Sequence, residues 1–91
     1  MEDHRDSHRR RTLKEGRILL SEWSGIDCRI RDLSETGARL DFDGPTSLPP
    51  AFRLLIVASN QIVPAELAWQ RGQSAGVRFT GPGVEAPTRK T

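Results

Sequence analysis

Two short segments of this 91-residue chain carry side chains that can do chemistry together. Asp32-Leu33-Ser34-Glu35-Thr36-Gly37 sets a carboxylate, a hydroxyl and a glycine on one turn. Upstream, Arg9-Arg10-Arg11-Thr12-Leu13-Lys14 concentrates cations in a short arm. Guanidinium forks match phosphate oxygens and the O6/N7 edge of guanine. A carboxylate accepts hydrogen bonds from guanine's ring and amino N–H groups, and a glycine lets a ligand approach the backbone. The combination suits a ligand that carries both phosphates and purine edges.

Each segment also has a plainer reading. Asp32 and Ser34 can make Asx- and Ser-type turn hydrogen bonds, with Gly37 supplying a positive φ. The arginines can form a solvated terminus. Asp32-Leu-Ser-Glu35 imitates a helix-capping box, but strand-like alternation resumes at Ala38, so no helix is expected to follow. His4 and His8 would face a common metal only on a helix, and no carboxylate or thiolate set completes a site. Cys28 falls on an apolar face and reads as a buried filler. Trp69 reads as core, whereas Trp23, between Glu22 and Ser24, lies at a hairpin tip. No nucleophile elbow, phosphate loop or Cys/His metal pattern is present, and Ser34 has no core histidine to activate it; the chain does not read as an enzyme.

The elements that must position these residues are strands. Period-two alternation dominates and predicts no helix. Ile18 and Leu20 begin a first strand after Gly16. Ile26, Cys28 and Ile30 share one face, then Ala38, Leu40 and Phe42. A loop runs from Gly44-Pro45 through Pro49-Pro50. Phe52 to Val57 is apolar on both faces. Val63, Ala65, Leu67 and Trp69 form an inward row, with Pro64 demoting the start of that strand to an edge or bulge, and Ala75, Val77 and Phe79 close the series. The expected fold is all-β, a small six-stranded antiparallel β-barrel. The expected boundaries are a flexible N-terminal basic arm over 1–12, a barrel domain over 13–80 and a disordered tail over 81–91.

A net charge of +2 provides no strong field. The cations Arg5, Arg9, Arg10, Arg11, Lys14 and Arg17 crowd one end, a distribution that suits a small anion better than a long polyanion. Four of the aromatics fall on inward rows, which leaves no stacking platform for a nucleic acid polymer. The single cysteine excludes an internal disulfide and fits a reducing compartment. No apolar run reaches spanning length and no signal-peptide stretch opens the chain, so a cytoplasmic protein without membrane insertion is expected.

On these residues the chain resembles the PilZ domain family. That family's signature is an Arg-x-x-x-Arg segment before the first barrel strand and an Asp/Asn-x-Ser-x-x-Gly turn between the second and third. The turn is complete here in Asp32, Ser34 and Gly37. Ala65-Glu-Leu-Ala-Trp69 followed by Gly76-Val77-Arg78-Phe79 is similar to the family's usual ending, and the resemblance covers roughly residues 8–80. It implies binding of the bacterial second messenger cyclic di-GMP, with no other cofactor, through Arg9, Arg10, Lys14, Asp32, Ser34 and Gly37. Arg10 matches the first arginine of the arm motif. Lys14 stands where the second is expected, keeping the charge but losing the planar fork. Arg9, just before the motif, implies an intercalated ligand dimer. No C-terminal helix follows the barrel, a second departure from the pattern. The resemblance implies an arm that orders over the turn when ligand binds and so regulates a downstream protein. The alternative is a PilZ-like interaction module whose site is lost or weakened.

Overall fold

The computed structural model describes residues 10–21 and 24–87, with side chains from Lys14 onward. Seven strands run in chain order: β1 (Arg10–Leu19), β2 (Gly25–Leu33), β3 (Gly37–Asp41), β4 (Ala51–Ile56), β5 (Gln61–Arg71), β6 (Ser74–Phe79) and β7 (Val84–Glu85). Every pairing is antiparallel, in the order β4-β1-β2-β3-β6-β5-β7, and a further β4–β5 pairing closes the first six strands into a ring. The expected six-stranded barrel is therefore present, with no helix among the described residues.

The alternation that predicts the strands also fills the barrel. Ile18, Ile30, Leu40 and Leu54 are completely enclosed, one from each of four neighbouring strands. Each such burial contributes about 1.5–3 kcal/mol relative to exposure. Cys28, Phe42, Phe52, Ile56, Val63, Ala65, Ala75 and Val77 complete the same cluster. Outward positions carry charge, and neighbouring segments match it: Arg17 with Asp27, Arg78 with Glu66, Arg31 with Asp41 at 3.1 Å, and Arg29 with Asp43, just past the end of β3, at 2.9 Å. These exposed pairs contribute little stability each, about 0–1 kcal/mol. The loop between β3 and β4 folds back on β5, where Leu67 N donates to Pro50 O at 2.9 Å and the Gln70 amide donates to Thr46 O.

Three departures from the alternation reading matter. The first strand begins at Arg10 rather than near Ile18, so residues 10–12, expected in the arm, open β1, and Arg10 and Arg11 pair with the end of β2. Arg-Arg-Thr gives no apolar alternation; backbone hydrogen bonding to β2 recruits the segment instead. Part of the expected tail is also paired. Val84–Glu85 adds to Gln61–Ile62, Ala86 is buried, and Asn60 at φ 55 holds the segment by donating from Nδ2 to Ala86 O while its own carbonyl accepts from Ala86 N. Trp69, expected in the core, is 45% exposed. Arg5, Arg9, His4, His8, Trp23 and residues 88–91 lie outside the described residues.

Candidate ligand-binding site

Two breaks in strand register build the site. Between β2 and β3, Ile30 opposes Leu40, but the next pair is Asp32 opposite Arg39, so β2 carries one extra residue. Simple alternation from Ile30 would aim Asp32 into the barrel. The bulge turns it outward, where its Oδ2 lies 3.5 Å from Arg39 Nε. On the far side of the hairpin, Leu67 opposes Val77 and Trp69 opposes Gly76, so β5 carries Ala68 as its extra residue. This second bulge turns Trp69 out of the core row and lays its indole over the β6 backbone. A Cβ at Gly76 would stand 2.1 Å from Trp69 Nε1, so only glycine accommodates the ring in this position.

The turn between the bulges is held by Ser34. Its Oγ accepts from Thr36 N at 3.2 Å and Gly37 N at 3.3 Å, and it lies 3.3 Å from Gly37 O as donor. Ser34 N also donates to Gly37 O at 2.9 Å, while Phe79 N donates to Thr36 O at 2.8 Å, tying the turn to β6. The hydroxyl is thus engaged by the turn it organises. Gly37 does not adopt a positive φ, contrary to the plain turn reading; it is needed because a Cβ there would lie 2.3 Å from Val77 O.

These elements surround an open cavity of about 320 Å³, in the lower range for small-ligand sites. Asp32, Ser34, Gly37, Arg39, Trp69 and Gly76 line it, with the flanks of Leu33, Ala38, Ala68 and Val77. Three of the six expected site residues, Asp32, Ser34 and Gly37, are brought together here. The β1 register carries the arm to the same place: Arg11 is the rung opposite Asp32, and Arg10 the rung opposite Leu33. Lys14 is placed differently. It opposes Ile30, beyond a further register shift, and does not line the cavity. Arg9 lies outside the described residues.

Sequence reading missed Arg39 and Trp69. The usable signal for Trp69 was Gly76, a glycine inside an otherwise apolar strand, which marks a close approach. Arg39 had no signal beyond being an outward cation, because its neighbour Asp32 reaches it only through the bulge.

A second concavity, about 530 Å³, is lined by Glu15, Asp27, Cys28, Arg29 and Asp43. Three carboxylates against one guanidinium make it a poor seat for an anion. The Cys28 thiol beside it is pushed up to about 12, first by burial and then by the Asp27 carboxylate, so it stays protonated and unreactive near neutral pH.

The model of the PilZ domain family matches residues 3–89, nearly the whole chain. A comparison with curated proteins finds no match. Barrel, motif turn and near-complete family match agree: the chain belongs to the PilZ domain family.

Proposed function

We propose that this chain is a receptor for cyclic di-GMP, binding at the cavity between the Asp32–Gly37 turn and Trp69. PilZ domains are in general ligand-binding modules for this dinucleotide rather than enzymes. The observation that carries the reading is the convergence of a carboxylate, an exposed indole and a tight glycine turn on one cavity, beside the backbone rungs of Arg10 and Arg11. In this arrangement Asp32 accepts from guanine N–H groups. Trp69 offers a face for a purine to stack on, a contact worth about 1–3 kcal/mol per base in single-stranded nucleic-acid complexes. Arg9 and Arg10 supply cationic charge to the two phosphates, Lys14 adds charge only at longer range from its rung opposite Ile30, and Ser34 and Gly37 shape the wall. Neutralising the arm's charge on binding orders it across the site and changes the surface offered to a downstream protein. The setting is the bacterial cytoplasm; among the described residues no helix is long and apolar enough to cross a membrane.

Isothermal titration with cyclic di-GMP, with GMP and GTP as controls, tests the reading. Saturable heat with the dinucleotide in preference to the mononucleotides supports it. No heat and no amide shifts at high ligand concentration would favour a ligand-independent interaction module, the reading suggested by Lys14 at the second arginine position of the arm.

A further inference from the structure

Arg39 differs from the other paired arginines of the barrel wall in how it is held. Among the described residues, Arg17, Arg29, Arg31 and Arg78 each meet their carboxylate through a terminal guanidinium nitrogen. Arg39 meets Asp32 through Nε, at 3.5 Å, longer than an ordinary hydrogen bond. Its terminal nitrogens meet no acceptor among the described residues, and its side chain is 47% exposed at the rim of the cavity. The guanidinium is thereby oriented by the carboxylate while its two-pronged end stays open.

We propose that Arg39 is a base-reading residue, donating its terminal N–H groups to the O6/N7 edge of a guanine whose N1–H and amino group are taken by Asp32. The inference rests on the cyclic di-GMP reading above and adds to it a residue outside the family motif. Two physical arguments select a base over a phosphate. The Asp32–Arg39 pair is close to neutral as a unit, so it attracts a phosphate weakly and its carboxylate repels one. Its polarity also matches guanine and opposes adenine: guanine presents acceptors at O6 and N7 beside donors at N1 and the amino group, whereas adenine presents a donor at N6 and an acceptor at N1. A guanidinium and a carboxylate fixed side by side on opposed strands form the complementary pattern.

The experiment titrates wild type, Arg39→Gln and Arg39→Lys with cyclic di-GMP and cyclic di-AMP at two salt concentrations, with thermal melts to check folding. Wild type is expected to prefer cyclic di-GMP. Arg39→Gln and Arg39→Lys are both expected to cut that preference by about tenfold or more, since lysine restores the charge but not the fork. The salt dependence should stay close to that of wild type, because no phosphate contact is lost. If both ligands weaken equally and the salt dependence falls, Arg39 holds a phosphate and the proposal is overturned. Unchanged affinity for both ligands overturns it as well. Failure of wild type to bind cyclic di-GMP would instead remove the receptor reading, and this inference with it. Should Arg39→Gln melt out of the folded state, Arg39→Lys, which keeps a cation beside Asp32, carries the test alone.

Discussion

At the residue scale, the motif turn divides into a residue that faces the ligand and one that serves the fold. Among the described residues Asp32 meets Arg39 alone, through a long contact at the rim of the cavity, which leaves its carboxylate acceptor capacity for a ligand. Ser34 Oγ is engaged by Thr36 and Gly37 within its own turn. The two substitutions should therefore separate. Asp32→Ala is expected to lower cyclic di-GMP affinity at least tenfold while changing stability by under about 1 kcal/mol, since a long ion pair with a solvent-facing guanidinium contributes little. Ser34→Ala should cost about 1 kcal/mol of stability by stripping the turn of its hydrogen bonds, with a smaller loss of affinity. Urea unfolding beside calorimetric titration measures both quantities. The reverse pattern would make Ser34 the direct contact and Asp32 a structural partner of Arg39.

At the scale of elements, the site is made by irregularities in strands that are otherwise regular. Each bulge converts an inward position into an outward one, and each cavity wall also carries a glycine, Gly37 or Gly76, where a Cβ would clash. The two glycines differ in what blocks them. At Gly37 the obstacle is the Val77 carbonyl, part of the backbone; at Gly76 it is the Trp69 indole. Gly37→Ala is accordingly expected to destabilise the barrel by about 2 kcal/mol or more, because two strands must part. Gly76→Ala should cost less and instead expel the indole from the β6 surface. In a Trp23→Phe background, Trp69 emission should shift to longer wavelength, and affinity for cyclic di-GMP should fall with it. Unchanged emission in Gly76→Ala would mean that the ring does not depend on the glycine. These bulges explain the limit of the alternation reading. Val63, Ala65 and Leu67 follow the period-two pattern, but Trp69 was assigned inward because a single extra residue, Ala68, leaves no trace in hydrophobicity.

At the scale of the whole molecule, the closed ring leaves a core of aliphatic and aromatic side chains with one ionisable member, Cys28. Burial pushes its thiol up from an ordinary value of 9.0 to about 12. The folded state thus retains that proton over a range in which the unfolded chain loses it. Stability from this group is fully present below about pH 9 and is lost as pH rises through 12, a change of up to about 4 kcal/mol. Unfolding free energies measured between pH 8 and 12 should fall more steeply for wild type than for Cys28→Ala; equal slopes would show that the thiol is not shielded as its burial implies. The sequence by itself determined the strand class, the six-strand count, the inward rows from Ile26 to Phe42 and the Asp32/Ser34/Gly37 turn. It could do so because burial of alternate side chains and turn chemistry are local properties of the chain. Strand pairing decided the rest: where β1 begins, that Val84–Glu85 joins β5, and which outward residues meet. Arg39 reaches Asp32, and Trp69 reaches Gly76, only across hydrogen-bonded neighbours whose register is set by bulges, a relation between strands that no single segment encodes.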